Sequence, residues 1–362
     1  MQYRDRINDL TQKIDSTLAD FNAERIRGNM PTQISSEFLT NKEQGDWAEQ
    51  TLLNGINNNS SNLIAVRYGK NDDINAGDDG FKEFFKAYQA ELDTIGKRPD
   101  ILIFEKKDYP YETYDISHFS NDLLDQLVPK AKCGIEVRSS AFLIDKYEAY
   151  MNDKVSCAID SAMKSRNIIL NNYKELLISK DSALYDIIES ISPDNMHVIS
   201  FRTRSWSSSA ELVALSNELK NLKNSIKEIT KRTFLSITPK VEDLKVVYTW
   251  IQRYNVPHYY IQVFFDKAFG ISFERILSLI GDSELEGKEY FIEADVKNQG
   301  KTTIKINAIQ QYNVLEKIYL PEHQSQMKEL TRGRLLFYVK FKDSVSVINR
   351  DEFERLLGIE LE

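Results

Sequence analysis

The chain has 362 residues, 41% of them apolar, enough to bury one large core or two modest ones, as an ordinary soluble globular protein does. Two cysteines, Cys133 and Cys157, are too few for a disulfide framework. No paired Cys/His spacing marks a zinc site, and no apolar run approaches the roughly 20 residues of a bilayer span. The formal charge of -8 argues against a protein that coats nucleic acid through bulk electrostatics, but not against one that keeps its basic residues in a cleft while carboxylates hold a divalent cation.

The N-terminus, Met1 to Arg6, is charged rather than signal-like, so the cytoplasm is the expected compartment, with both thiols expected in the core. Ile7, Leu10, Ile14, Leu18 and Phe21 recur at helical spacing, which predicts an amphipathic helix within residues 1–28, packed on its own body or on a partner. A looser stretch, Gly28 to Ser36, leads to a helix over Glu43 to Ile56. Leu63 to Tyr68 alternates as a strand, Asn71 to Gly80 is a polar loop, and Phe81 to Leu92 is helical. Two short apolar runs follow, Ile101 to Phe104 and Gly134 to Val137, which read as adjacent central strands.

Ala141 to Ser190 is helical in pattern. Met196 to Trp206 reads as a strand running into basic residues, and Ala210 to Thr230 as a long polar helix. From Met196 to Lys240 there are eight Lys/Arg against three acids, a basic island in an acidic chain that suits either DNA contact or a solvated helix face. Beyond it, strands are predicted at Phe234 to Ile237, Tyr259 to Phe265, Tyr290 to Ala294, Thr302 to Ile306 and Leu335 to Phe341. Helices are predicted at Glu242 to Tyr254, near Phe273 to Ile280 and at the C-terminal end. One mixed α/β domain with a helical insertion fits this order better than two independent domains.

The residues that point to chemistry are Asp100 and Glu136. Asp100 opens an apolar strand after Arg98-Pro99, and Glu136 lies inside the apolar Ile135-Glu136-Val137. A carboxylate among apolar strand neighbours is costly to bury unless a cation meets it. Strand alternation puts Glu136 and Arg138 on one face, with Ser140 continuing the row. A third acid, Glu49, lies on the helix of Leu52, Leu53 and Ile56. Surface ion pairs are the plainer alternative, since an Asp followed some way downstream by Glu-x-Lys/Arg is common by chance.

Gly45-Asp46-Trp47-Ala48-Glu49 on a helix, Arg98-Pro99-Asp100-Ile101-Leu102, and Gly134-Ile135-Glu136-Val137-Arg138-Ser139-Ser140 together resemble the PD-(D/E)XK restriction endonucleases, and among them the AccI-type group. Thr238 to Leu244 and Val256 to Asp266 are similar to that family's closing helix and strand. The resemblance covers about residues 35–145 and 235–310. It implies an α/β fold with a restriction-endonuclease-like core, a mixed central β-sheet flanked by helices, interrupted by a helical insertion. The resemblance does not assign the insertion or the C-terminal end; with the pattern of elements, the expected division is an N-terminal helical arm (1–34), a nuclease domain (35–310) with a largely helical insertion (146–233) used in DNA recognition, and a C-terminal α/β extension packed on the core (311–362).

The implied activity is that of a type II restriction endonuclease, a Mg²⁺-dependent enzyme that cuts both strands of DNA by phosphodiester hydrolysis. One or two Mg²⁺ ions would be held by Asp100 and Glu136, with the Val137 carbonyl and Glu49. Where the family usually has Lys, this chain has Arg138, which cannot serve as a general base and can only neutralise phosphate charge. If a lysine is needed to position or help deprotonate the attacking water, it would be Lys240, or else Lys132, with an ordinary exposed lysine the plainer reading of each. Each of His118, His197, His258 and His323 reads as structural. DNA contacts are expected from Ser139 and Ser140, from Arg202, Arg204 and Trp206, and from Asn298, Gln299 and Lys301 on a turn. Implied partners are double-stranded DNA, a second copy in a homodimer matching a palindromic site, and a methyltransferase that protects host DNA without stable binding. A structure-specific repair or junction nuclease, and an inactive DNA-binding relative, remain the alternatives. No phosphate-binding Gly-rich motif supports a nucleotide-using enzyme.

Overall fold

The computed structural model describes residues 2–70, 74–295, 301–330 and 333–361. The chain forms two compact units, Met1–Ile144 with Leu235–Glu362, and Asp145–Phe234. In chain order the first unit begins with α1 (Tyr3–Thr11), α2 (Ser36–Asn59), β1 (Leu63–Arg67), α3 (Phe81–Thr94), β2 (Ile101–Glu105), α4 (Asn121–Leu127) and β3 (Cys133–Ser139). The helices α5 (Ile144–Asn172), α6 (Lys174–Lys180), α7 (Ser182–Ser190) and α8 (Ala210–Ile229) follow. The first unit then resumes with β4 (Ser236–Ile237), α9 (Val241–Tyr254), β5 (His258–Val263), β6 (Ala268–Ser272), α10 (Phe273–Ile280), β7 (Tyr290–Asp295) and β8 (Lys301–Asn307). It closes with β9 (Tyr312–Ile318), β10 (Glu322–Glu329), β11 (Leu335–Lys342), β12 (Ser346–Ile348) and α11 (Arg350–Leu357).

A seven-stranded mixed sheet, ordered β1-β2-β3-β5-β6-β9-β12, organises the first unit. Only β3 and β5 run parallel, and α9 supplies the crossover that a parallel pair requires. Side-chain alternation sorts the strands into two faces. Ala65, Ile101, Ile103, Ile135, Val137 and Ile261 pack against Trp47, Leu52 and Ile56 of α2 and Phe353 of α11. Val66, Leu102, Phe104 and Tyr260 pack on the other side, with Leu244, Val247, Trp250 and Ile251 of α9. Burial on both faces explains why β2 and β3 read as unbroken apolar runs rather than as alternating ones. Two smaller sheets, β10-β11 and β4-β8-β7, complete the unit.

Several elements differ from the sequence expectation. The N-terminal helix ends at Thr11. Asp15 then accepts the N–H of Thr17, and Asp20 those of Asn22 and Ala23, so side chains take donors that a helix would have used. The apolar row persists, since Ile7 and Ile14 are buried and Leu18 and Phe21 pack on the same core. The arm therefore covers its own body. The helix expected over Glu43 to Ile56 is longer at both ends, because the Ser35 hydroxyl caps it by accepting from Phe38 N–H at 3.0 Å. The strands β6, β9, β10 and β12 and the helix α4 were not anticipated. Three of them, β6, β9 and β12, join the main sheet, so the C-terminal segment contributes two strands, β9 and β12, to that sheet.

The second unit has its own core, in which Leu212, Leu215, Leu219, Leu222 and Ile226 of α8 form one apolar stripe beside Ile169, Leu184 and Ile188. The strand expected over Met196 to Trp206 does not form. Among the described residues this unit holds no strand with which it could pair; Met196 and Phe201 instead plug the helical core. Cys157, on α5, is exposed rather than packed in a core, whereas Cys133 is buried.

Candidate active site

Asp100 and Glu136 are brought together by the register of two antiparallel strands. Ile101 of β2 pairs with Ile135 of β3, and the Val137 N–H donates to Asp100 Oδ2 at 2.7 Å. On the other side of Asp100, Tyr68 and Gly69 donate their N–H groups to its carbonyl. Gly69 makes this close approach easy, because a Cβ at that position would lie 3.0 Å from Asp100 Cα and 3.2 Å from Oδ1, tight enough to push on the acid. The acid is thus held between β1 and β3.

Glu136 is 2% exposed and takes part in a square of charges. Its Oε1 accepts from Lys97 Nζ at 2.6 Å and lies 3.0 Å from Arg138 Nη2. Asp243 Oδ2 accepts from the same two groups, at 2.9 Å from Lys97 and 2.8 Å from Arg138. Alternation on β3 puts Glu136 and Arg138 on one face, and Asp243 in the first turn of α9 meets that face. The opposite oxygen, Glu136 Oε2, is buried with no partner, as are Arg138 Nε, the Tyr260 hydroxyl and Gln262 Nε2. Those atoms share a neighbourhood, because Glu136 pairs with Tyr260 and Arg138 with Gln262 across β3 and β5.

The electrostatics record an excess of negative charge. Desolvation, then Glu136, then Glu49 push the Asp100 carboxyl well above the carboxylate range, against Lys97 and the Val137 N–H. Glu49, on α2 with Arg67 Nε 3.8 Å away, is raised to about 7 by burial and by Asp46 and Glu136, with Arg67 opposing. Burial would raise Asp243 as well, but Lys97 and Arg138 outweigh it and hold the group below its ordinary value. Lys97 in turn loses to burial and to Arg138, yet Asp243 and Glu136 keep it above the ordinary lysine range, hence charged.

Among the described residues, no three His, Cys, Asp or Glu side chains stand together at metal-holding spacing. Mg²⁺ does not need such a cage; it commonly takes one or two carboxylates and keeps its waters. Asp100 and Glu136 fit that requirement. Both offer hard oxygens, Oε2 of Glu136 lacks a partner, and Asp100, raised first by burial and then by Glu136 and Glu49, is a carboxyl whose ionised form a cation would favour.

Of the other residues singled out by sequence, Glu49 joins Asp100 and Glu136 electrostatically. Lys240 stands at the N-terminal cap of α9, where its carbonyl accepts the Asp243 N–H, and burial followed by Arg138 lowers its pKa. Lys132 lies just ahead of β3, ion-paired with Glu105 rather than with the acids. Ser139, which ends β3, and Ser140 just beyond it are half-exposed, and Ser140 N–H donates to the Val263 carbonyl. Lys301 is exposed at the start of β8, its charge felt by Lys240, whereas Asn298 and Gln299 lie outside the described residues.

In the second unit, Arg202 is exposed, Arg204 pairs with Asp181 at 3.3 Å, and Trp206 is half-buried against the helical core. His258 is fully buried with both ring nitrogens unpartnered.

Sequence reasoning missed Lys97 and Asp243. Asp243 lies in the Thr238 to Leu244 segment already singled out, and Lys97 is three residues before Asp100. Neither has a periodic position that would have announced its direction. A family model described as AccI restriction endonuclease matches residues 1–362. No curated protein and no solved structure matches the chain.

Proposed function

The chain belongs to the AccI restriction endonuclease family, and is thereby a nuclease and a hydrolase; from that premise we propose that it is a type II, site-specific deoxyribonuclease that uses Mg²⁺. The observation that carries this reading is the hydrogen bond from Val137 N–H, next to Glu136 on β3, to Asp100 Oδ2 just ahead of β2, beside an unpartnered Glu136 carboxylate oxygen. The order α2, β1, β2, β3, α9, β5, with an antiparallel meander and a parallel fourth strand, supports a restriction-endonuclease-like core of the PD-(D/E)XK kind. Such a core would extend over residues 35–310, with residues 146–233 serving recognition.

Asp100 and Glu136 would hold the ion, with Glu49 and the Val137 carbonyl as further oxygens. When bound, Mg²⁺ supplies a lowered pKa for water and stabilises charge on the attacking and leaving oxygens. The chain's own residues do the rest. Val137 N–H fixes the orientation of Asp100, and Arg138 offsets the charge of Glu136 and Asp243 without exchanging a proton. Ser139, Ser140 and Lys301 would meet the DNA beside the acids, while Arg202, Arg204 and Trp206 are the candidate contacts of the helical unit. Asn298 and Gln299 complete the set of base-reading side chains.

The substrate is double-stranded DNA. A two-fold homodimer suits a palindromic site, a methyltransferase would shield host DNA, and the cytoplasm is the compartment for both. The test is incubation of the purified chain with plasmid and phage DNA, with Mg²⁺ or with EDTA, alongside Glu136→Ala. Discrete, metal-dependent fragments that vanish in the variant are expected. A smear or random nicks would point to a repair nuclease, and DNA left intact under every condition would sink the enzymatic reading.

A further inference from the structure

Resting on the nuclease reading, we propose that Lys97, delivered by the loop ahead of β2 and not by β3, supplies the catalytic ammonium of this site, with Asp243 as its positioning residue. The family resemblance leaves a lysine unaccounted for, because the β3 position holds Arg138. Lys97 Nζ lies 2.6 Å from Glu136 Oε1 and 2.9 Å from Asp243 Oδ2, so it already stands among the acids. An ammonium has three donors. Two are engaged by these carboxylates, and one remains for an oxygen of the substrate.

The backbone ahead of Asp100 is built to deliver this side chain. Gly96 has φ +88°, a region that favours glycine, and a Cβ there would come within 2.3 Å of Val246 O and 2.5 Å of Trp250 N. That close approach lets Lys97 N–H donate to Val246 O at 2.9 Å, which fastens the loop to α9, the helix that carries Asp243. Three residues on, Pro99 packs against Gly134 of β3, where a Cβ would approach Pro99 Cγ to 2.6 Å. Lys97 and Asp100 therefore belong to one short segment clamped at both ends, so the backbone fixes the spacing of the two residues, while Glu136 and Asp243 hold the ammonium itself.

In the reaction, a water oxygen forms a bond to phosphorus, the ester P–O bond breaks, the water's proton passes to solvent, and the leaving oxygen is protonated from solvent. Lys97 remains an ammonium throughout and donates to a non-bridging phosphoryl oxygen as negative charge accumulates there. Asp243 does not touch the substrate. It holds Lys97 and Arg138 at one oxygen, so that both cations face the same phosphate.

The experiment compares the unmutated chain with Lys97→Met, Lys240→Met, Asp243→Asn and the double variant Lys97→Met/Asp243→Asn. Cleavage of phage and plasmid DNA is followed with Mg²⁺, and binding of the same DNA is followed by gel shift in EDTA. K97M should cut at least about a hundredfold more slowly, the scale of a lost transition-state contact, with binding retained. K240M should stay within about tenfold, and the double variant should be no slower than K97M alone.

Should K97M fold poorly, Lys97→Cys in a Cys157→Ser background replaces it. That protein should be inactive until 2-bromoethylamine rebuilds a lysine-like ammonium on the new thiol, while Cys133 stays buried. Cleavage by K97M within about tenfold of the parent, collapse of K240M instead, or no recovery on alkylation would each overturn the assignment. A parent chain that cuts no DNA would overturn the nuclease reading instead, which keeps the two failures apart.

Discussion

The Asp100 carboxylate accepts the backbone N–H of Val137 at 2.7 Å, so the first acid of the site is fastened to the residue beside the second. Asp100→Asn keeps an oxygen that can accept this bond but removes the negative charge. Cleavage should fall by about a thousandfold or more, because the divalent ion loses one of its anionic ligands. Thermal stability without Mg²⁺ should hold or rise, since Glu136 and Glu49 no longer face a third acid. Single-turnover cleavage and a melting curve measure the two effects, and an active variant would remove Asp100 from the site.

Arg138 and Asp243 test whether the square of charges acts as a unit. Their side chains are 23% and 24% exposed, so the pair is largely shielded from screening. Arg138→Ala leaves two acids facing Lys97 alone and should cost about 2–4 kcal/mol by denaturant melting, somewhat under the roughly 3–5 kcal/mol of a fully buried broken pair because both side chains keep some exposure. Arg138→Ala/Asp243→Ala should cost less than the sum of the single changes by roughly 1 kcal/mol or more. Additive costs would show that the two residues stabilise the fold independently.

The carboxylates were legible in the sequence because strands advertise them. Glu136 interrupts an apolar run, and period two puts Arg138 beside it on the same face, as the structure has it. Lys97 and Asp243 were illegible for a physical reason. Lys97 extends from an irregular loop whose direction depends on Gly96 packing against α9, a contact 150 residues away in sequence. Asp243 sits on the first turn of a helix, where an acid also reads as an ordinary favourable partner of the helix dipole. The fold was similarly readable where one face is buried, as over Phe273–Ile280, and unreadable where pairing partners decide. Met196 to Trp206 has strand-like residues but no strand neighbour, whereas β12, three residues long, is a strand because β9 lies beside it.

The helical unit makes a separable prediction. Arg202 and Arg204 are exposed, and only Arg204 has a described ion-pair partner, Asp181. If they contact phosphates, Arg202→Ala/Arg204→Ala should weaken DNA binding uniformly across sequences and flatten its salt dependence by about one to two counterions. Binding measured from low to moderate salt gives the slope. An unchanged slope would assign these residues to the fold of that unit, and a loss confined to one sequence would mark them as base readers.

His258 predicts how the fold responds to acid. It is fully buried in an aromatic setting, with ring centroids 5.8 Å from Trp250, 5.4 Å from Tyr260 and 5.9 Å from Phe273, and burial pushes its pKa down to about 3. For a base with a depressed folded pKa, the folded state refuses a proton that the unfolded chain accepts. Its neutral form is therefore no burden above the ordinary value of 6.5, and stability is lost as pH falls from there towards 3. The loss amounts to about 1.4 kcal/mol per pH unit, or roughly 2 kcal/mol by pH 5. His258→Phe removes the titrating group together with two unpartnered nitrogens, and leaves the backbone N–H that donates to the Tyr3 hydroxyl. Denaturant melts between pH 8 and pH 5 should then show a flatter stability profile for the variant, with the two proteins diverging below about pH 6.5. Parallel profiles would mean that another group governs the acid limb, and that the imidazole reaches solvent before it is protonated.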